Sequence, residues 1–147
     1  MITFCTATTA DLPEVLDLLR RAKLPLAGVE EHLNNFVLAM EMSEQGETLV
    51  GCAGLEIHGS AGLLRSVAVE AQYRSEGLGA KLTEGMLELA QHKDLSSVSL
   101  LTESAKDYFP RFGFVQVERS KLPESLQQSA ELKGACPDSA VAMTLKI

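Results

Sequence analysis

Apolar residues recur at helical spacing in two stretches of the chain. The first follows Thr8 and Asp11, whose spacing resembles a capping box, and has Pro13 in its first turn. The apolar positions are Leu12, Val15, Leu16, Leu19 and Ala22 in the first stretch, and Leu78, Leu82, Met86, Leu89 and Ala90 in the second. This periodicity predicts amphipathic helices over residues 10–22 and 78–93.

Shorter apolar runs, bounded by glycine and polar residues, predict strands. The clearest pair is Phe36–Met42 and Thr48–His58, joined by the hairpin loop Ser43–Gly46, and Leu63–Val69 follows after a tight connection. The other predicted elements, in chain order, are the strand Ile2–Phe4, a short helix over Val29–Asn34, the strand Val98–Leu101, a short helix over Ser104–Phe112, and the strands Phe114–Glu118 and Ala140–Leu145. Together they predict an α/β (α+β) fold, a mixed sheet with helices on both faces.

Composition limits the class of protein further. The chain has 147 residues, 46% hydrophobic and 22% charged, which predicts a single globular domain over residues 1–147. It contains no apolar run of about 20 residues, and its start lacks the pattern of a signal peptide, so we expect a cytoplasmic protein without a membrane partner. A net charge of −7 with no run of Lys or Arg argues against nucleic acid. Three widely spaced cysteines predict neither a disulfide framework nor a metal site.

The segment from Val67 to Gly79 carries the most specific chemistry. An apolar strand ends, a short loop follows, and a helix is predicted to begin beside Gly77 and Gly79. Unpaired N–H groups at a helix start bind anions, and glycine lets the backbone approach a phosphate closely. The spacing fits neither the GxGxxG of a dinucleotide-binding loop nor a P-loop. The glycine pair alone is equally compatible with a simple strand-to-helix turn.

Arg74-x-x-Gly77-x-Gly79, preceded by the strand Ser66–Val69, resembles the acyl-CoA-binding motif of the GNAT superfamily of acetyltransferases. The bend Phe112-Gly113-Phe114 and the element order are also similar to that family, over nearly the whole chain. The resemblance implies a GNAT-like mixed, mainly antiparallel sheet of six to seven strands, with helices on both faces.

Two groups within the superfamily look nearest. Residues 102–125 are similar to the acetyltransferase domain of N-acetylglutamate synthases. Residues 51–56, 64–69 and 136–140 are similar to the small acetyltransferases associated with arsenic resistance operons.

The resemblance implies that acyl-CoA lies between two splayed strands and binds mainly to backbone groups. The Val67 N–H would polarise the thioester carbonyl, and Val69 would pair with the pantetheine amide. Backbone groups at the helix start would hold the pyrophosphate, with a charge-assisted contact from the Arg74 side chain. Ser104 would hydrogen-bond the pantetheine or, alternatively, cap the following helix. The implied cofactor-binding residues are Val67, Ala68, Val69, Arg74, Ser75, Glu76, Gly77, Leu78, Gly79, Ala80 and Ser104.

Two side chains often used for catalysis in this family are absent from their usual positions. The glutamate near the start of the fourth strand corresponds to Leu63, so Glu56 on the neighbouring strand is the candidate base, acting directly or through water. His58 shares the face of Glu56 by alternation, and we expect it at the surface. The tyrosine that often protonates the CoA thiolate corresponds to Phe109, so Tyr108 is the candidate acid. Without an acid the thiolate would leave unaided, because the pKa of a thiol is about 8.5.

Arg65 is an unusual residue for an apolar strand, where an unpaired guanidinium is costly. By alternation it would share a face with Val67 and Val69 and point into the cleft or cap its edge, where a substrate carboxylate would pair with it. An internal pair with a glutamate such as Glu56 is the alternative. Ser139 is a second candidate for substrate binding.

The resemblance implies an acetyl-CoA-dependent N-acetyltransferase that acetylates the primary amine of a small amino-acid-like substrate by direct attack on the thioester. The two nearest groups point to glutamate or an analogue, including arsenic- or phosphorus-containing ones. Acetyl-CoA is the expected cosubstrate, no metal is expected, and homodimer formation is left open. Two alternatives remain: a non-catalytic acyl-CoA-binding or amino-acid-sensing module, and an enzyme that acetylates protein N-termini or lysines.

Overall fold

Seven strands form one mixed sheet in the computed structural model, which describes residues 1–147. The strands are β1 (Ile2–Thr6), β2 (Phe36–Ser43), β3 (Gly46–His58), β4 (Ala61–Val69), β5 (Ser97–Thr102), β6 (Val115–Val117) and β7 (Val141–Lys146). The α-helices are α1 (Leu12–Arg21), α2 (Val29–His32) and α3 (Leu78–His92). The sheet order is β1-β2-β3-β4-β5-β7-β6, and β4–β5 is its one parallel pair. The predicted mixed, mainly antiparallel sheet is confirmed.

Helices cover both faces of the sheet, as the sequence predicts. On one face α3 buries Leu82 and Met86 against strand residues such as Leu64. On the other face α1 buries Val15 and Leu19 in a second apolar cluster. Full burial of a side chain of this size stabilises the fold by about 1.5–3 kcal/mol. Because their helical spacing places these side chains on one face, their burial holds each helix against the sheet. No helix combines the length and apolarity that crossing a membrane requires.

The predicted helix over Ser104–Phe112 is wrong. The segment makes a turn closed by a hydrogen bond from the Tyr108 N–H to the Ala105 carbonyl, and it ends in a short 3-10 helix over Phe109–Phe112. Pro110 stands within this segment, and proline cannot donate the backbone hydrogen bond that a continuous α-helix needs there.

Residues 119–135, for which the sequence predicts no element, fold into a chain of short 3-10 and π turns that we call the strap. The strap buries Leu126 against Ala61 and Leu63 of β4. The Glu131 N–H is fixed by a hydrogen bond to the Ser129 Oγ at 3.2 Å. The strap therefore covers the beginning of β4 and carries an acidic side chain toward the sheet.

A bulge in β4 changes which face its side chains occupy. Ser66 and Val67 together lie opposite the single residue Ala53 of β3. Ser66 has a φ of 60°, and its carbonyl accepts a hydrogen bond from the Cys52 thiol at 3.3 Å. Val67 packs toward the α3 side, whereas Arg65 contacts the loop before α2 and the strap. The prediction that Arg65 shares a face with the valines of β4 is therefore wrong, because the bulge inserts one residue into the alternation.

Two glycines differ in how closely their surroundings pack: Gly54 lies at a tightly packed position and Gly85 at an open one. A Cβ on Gly54 would overlap the Phe36 ring, whereas a Cβ on Gly85 of α3 would meet nothing within 4 Å. We expect Gly54→Ala to lower the free energy of unfolding by about 1–3 kcal/mol. Gly85→Ala should raise it by up to about 1 kcal/mol, because alanine favours helices. Urea unfolding followed by circular dichroism measures both, and an equal loss of stability in the two variants would contradict this packing.

Candidate active site

β4 and β5 pair over three residues and then separate. Backbone pairing joins Ala61–Leu63 to Ser97–Ser99. Beyond these residues the gap between the strands is a cavity of about 510 Å³, which we call the cleft. Its walls are the end of β4, the start of α3 and the residues that follow β5.

The start of α3 closes one end of the cleft. Gly77 has a φ of 76°, a conformation that glycine adopts without steric cost, and Gly79 and Ala80 line the cleft beside it. The N–H groups of this first turn have no partner within the helix and lie at the positive end of its dipole. Arg74 also lines the cleft, and its Nε donates a hydrogen bond of 3.1 Å to the Val69 carbonyl. This end of the cleft therefore suits an anionic group.

The other predicted cofactor-binding residues divide into two groups. The side chains that also line the cleft are those of Val67, Val69, Ser75 and Ser104. The remaining three lie elsewhere, in the apolar clusters or in solvent: Ala68, Leu78 and Glu76. None of these three residues lines the cleft, so the geometry gives no support to their side chains as cofactor ligands. The helix that Ser104 was expected to cap is absent, and in the turn that replaces it the Ala105 N–H donates to the Thr102 Oγ1 at 3.0 Å.

Tyr108 reaches the cleft through the turn that replaces the predicted helix. Its hydroxyl lies beside Gly79, and the Arg111 guanidinium sits 4.1 Å from the centre of its ring. Burial raises the pKa of the Tyr108 hydroxyl above its usual value of 10, so the phenol keeps its proton at neutral pH. Phe109, at the position where the family often has tyrosine, is buried in the core. The candidate acid thus lines the cleft, one residue away from the usual position.

A second cavity, of about 360 Å³, adjoins the cleft, and we call it the side cavity. Both cavities are lined by Arg65 and Ser66, so they meet where β4 bulges. The loop after α1 contributes Lys23 and Pro25 to its wall, and the strap contributes Glu131. The side cavity therefore presents charged groups of both signs next to the middle of the cleft.

Arg65 is fully buried, and oxygen atoms surround its guanidinium group. Its Nη1 donates to the Glu56 Oε2 at 2.6 Å, and its Nη2 donates to the Pro25 carbonyl at 3.1 Å. Its Nε donates to the Ser66 Oγ at 3.0 Å, with the Glu131 Oε2 at 3.4 Å. Of the two alternatives for Arg65, the structure contains the internal pair with Glu56.

Glu56 is engaged through both carboxylate oxygens. Besides the bond from Arg65, its Oε1 accepts a hydrogen bond of 2.8 Å from the His58 Nε2. Burial opposes ionisation, but the hydrogen bonds from His58 and Arg65 outweigh it and hold the pKa of Glu56 below its usual value of 4.5. A buried carboxylate held in this way is a weak proton acceptor, which argues against its predicted role as the base. His58, expected at the surface, has a side chain only 11% exposed because it makes this contact.

His32 completes a group of three potential metal ligands. Single donor atoms of His32, Glu56 and His58 lie within 4.8 Å of one another. Burial lowers the pKa of His32, which favours the neutral imidazole. The Arg65 guanidinium, however, pairs with the same carboxylate and places a positive charge beside the position of a metal cation.

Glu131 is a functional candidate that the sequence does not indicate. It is 3% exposed and lines the side cavity, and its burial raises the pKa of the carboxyl above 4.5 despite the nearby charge of Arg65. The strap has no helical or strand periodicity, so the nearest signal is the family resemblance of residues 136–140. Ser139, within that segment, is exposed and lines neither cavity, so the geometry gives no support to its predicted role in substrate binding.

Known proteins resemble this chain in sequence over most of its length. The family description "Acetyltransferase (GNAT) domain" matches residues 33–116. The amino-acid acetyltransferase of Escherichia coli K12 is 30% identical over 129 residues, which cover 83% of this chain. The match covers 29% of that relative, so the chain spans less than a third of its length.

Solved structures share the fold. Rv2747 from Mycobacterium tuberculosis, solved in complex with CoA and a second ligand, has a TM-score of 0.79 at 22% identity, with 99% of each chain covered. N-acetylglutamate synthase from Neisseria gonorrhoeae, complexed with coenzyme A and N-acetyl-glutamate, has a TM-score of 0.79 at 20% identity, covering 99% of this chain and 35% of that one. The family match includes the β4–α3 motif and extends over more than half of the chain. The resemblance seen in the sequence is confirmed: the chain belongs to the GNAT family of acetyltransferases.

Proposed function

We propose that this protein is an acetyl-CoA-dependent N-acetyltransferase that acetylates the primary amine of a small amino-acid-like compound. The observation that carries the proposal is the cleft between β4 and β5, which ends at the glycine-bearing start of α3. Membership of the GNAT family supports the reaction type. The CoA complexes of the two similar structures support the choice of cosubstrate.

In this proposal acetyl-CoA binds mainly to backbone groups. Beyond Leu63, the groups of β4 on the side of β5 have no strand partner, so they can pair with the pantetheine amides at positions such as Val69. The Val67 N–H, at the bulge, stabilises the oxyanion that forms on the thioester carbonyl. The diphosphate lies at the start of α3, where Arg74 adds a positive charge.

The acceptor occupies the side cavity, which opens into the cleft at Ser66. The charge of Arg65 is already matched by Glu56, so Lys23, on the exposed part of the cavity wall, is the better partner for a substrate carboxylate. This arrangement suits glutamate or an analogue, with its amine toward the thioester. The amino-acid acetyltransferase of Escherichia coli and the N-acetyl-glutamate complex of the Neisseria gonorrhoeae enzyme support this substrate class.

The reaction is a direct transfer. The lone pair of the neutral amine attacks the thioester carbonyl carbon, a C–N bond forms, and the oxyanion is held by the Val67 N–H. The nitrogen then loses a proton to the solvent, and the C–S bond breaks with its electron pair on the CoA thiolate. The protonated phenol of Tyr108, which lines the cleft, gives its proton to this thiolate and is later reprotonated from water.

Other expectations stay predictions. They are a single domain over residues 1–147, a cytoplasmic location, and chemistry without a metal, a nucleic acid or a membrane partner. Homodimer formation stays open.

A substrate panel tests the proposed function. The protein is mixed with acetyl-CoA and single primary amines, and the free CoA thiol is measured with a thiol-reactive chromophore. We expect thiol release with glutamate or its arsenic- or phosphorus-containing analogues, and none with an N-acetylated control that lacks the amine. Release only with peptides would favour acetylation of protein N-termini or lysines. Tight binding of acetyl-CoA by calorimetry, without release for any amine, would favour the non-catalytic module.

Tyr108→Phe removes only the hydroxyl group from the cleft. We expect kcat to fall on the order of 10²-fold at neutral pH, because the thiolate loses its proton donor. The difference should shrink as the pH rises past the thiol pKa of about 8.5, where the thiolate needs no proton. Steady-state kinetics over pH measures this effect. Tyr73→Phe, which changes the other tyrosine outside the cleft, is the matched control and should keep the wild-type kcat. An unchanged kcat in Tyr108→Phe would mean that the thiolate leaves unaided.

Arg65→Ala tests the internal ion pair against a role in substrate binding. The change leaves the buried Glu56 carboxylate without its guanidinium, so we expect the free energy of unfolding to fall by about 3–5 kcal/mol. Arg21→Ala is the control, because Arg21 pairs with Asp17 and Glu70 while half-exposed, and it should cost much less stability than Arg65→Ala. Urea unfolding measures both. Equal losses would mean that the buried pair contributes no more to stability than an exposed one, which would contradict the expected role of the internal pair.

A further inference from the structure

The proposed reaction needs a proton acceptor, because an amine attacks only in its neutral form. Leu63 stands where the family often has a glutamate, and its side chain is apolar and buried. Glu56 is bonded through both carboxylate oxygens. Neither residue suits the role of base, which leaves the two carboxylates that line the side cavity, the exposed Glu103 and the buried Glu131.

Glu131 has the position that such a base requires. Its side chain is 4% exposed, yet it lines the side cavity near the point where that cavity meets the cleft. Two hydrogen bonds fix its backbone: its N–H donates to the Ser129 Oγ, and its carbonyl accepts from the Arg119 Nη2. One carboxylate oxygen lies 3.4 Å from the Arg65 Nε, a distance longer than that of a strong charge-assisted bond.

Among the buried charged groups around Glu131, negative charge is in excess. Arg65 makes its short contact, at 2.6 Å, with Glu56, so one buried guanidinium faces two buried carboxylates. A buried charge without a full partner is costly, and the cost falls when a cationic ligand arrives. The protonated amine of an acceptor is such a ligand, since it brings one positive charge and three hydrogen-bond donors.

We propose that Glu131 binds the ammonium group of the acceptor and takes its proton before the attack on acetyl-CoA. This inference rests on the proposed function. The proton passes from the nitrogen to a Glu131 carboxylate oxygen, and the freed lone pair attacks the thioester carbonyl carbon. The C–N bond forms, the C–S bond breaks with its electron pair on sulfur, and the second proton of the nitrogen goes to the solvent. Glu131 then releases its proton to water.

The surroundings of Glu131 shift the pKa of its carboxyl in the direction that this proton exchange needs. Burial raises the pKa of the carboxyl above 4.5, and the charge of Glu56 adds to the effect. Arg65, the Cys136 thiol and Arg119 act in the opposite direction and moderate the rise. A carboxyl with a raised pKa accepts a proton more readily than a free one.

Glu131→Gln keeps the shape of the side chain and removes its basicity. We expect kcat/KM for the amine to fall on the order of 10²-fold or more at neutral pH. In the wild type, kcat/KM should rise with pH as Glu131 ionises, with an apparent pKa above 4.5. In the variant this limb should vanish, and activity should return only as the amine itself deprotonates, at a pKa of about 8 or higher. The binding of acetyl-CoA, measured by calorimetry, should stay within about 2-fold.

Glu124→Gln is the matched control, because it makes the same change at an exposed position of the strap outside both cavities. It should keep the wild-type rate and pH profile. If Glu131→Gln does not fold, as judged by circular dichroism, Glu131→Asp replaces it and should keep the acid limb while lowering kcat/KM. A variant at position 131 with the wild-type rate and pH profile would overturn the role of Glu131 alone. A wild-type protein that releases no thiol with any amine would overturn the proposed function and this role together.

Discussion

The early separation of β4 from β5 is the constraint on which the rest of the site depends. Parallel pairing ends at Leu63 and Ser99, and the backbone groups beyond lose their strand partner. Open strand edges are normally a liability, because their unpaired groups attract other chains. Here the opening is bounded by the start of α3 and by the turn that carries Tyr108. An elongated ligand with amide groups and an anionic end matches both the edge and the helix start.

The bulge at Ser66 links this opening to the buried charges. By adding one residue to β4, it keeps Val67 on the side of α3 and turns Arg65 toward the opposite face of the sheet. There Arg65 joins three separate parts of the chain: Glu56 of β3, the carbonyl of Pro25 in the loop before α2, and Glu131 of the strap. One guanidinium thus connects the walls of the side cavity, and these contacts offset the desolvation cost of burying its charge.

The regular elements could be predicted from the sequence because each has a local physical signature. α1 and α3 bury the residues that recur at helical spacing, such as Val15 and Leu82. The hairpin of β2 and β3 follows from two apolar runs and a turn with Gly46. The turn that ends at Phe109–Phe112 and the strap were not predictable in this way, because irregular turns have no period.

By itself the sequence determined α1, α3, most strands and the glycine-bearing start of α3, since periodicity, capping and glycine placement act within a few residues. Tertiary structure alone decided which face of the sheet Arg65 occupies, that Glu56 is hydrogen-bonded to Arg65, and that Glu131 lines the side cavity. The physical reason is that these features depend on strand register and on contacts between distant segments. A single inserted residue in β4 reverses the alternation of its side chains between the two faces of the sheet. No local sequence pattern predicts which carboxylate a buried guanidinium will contact.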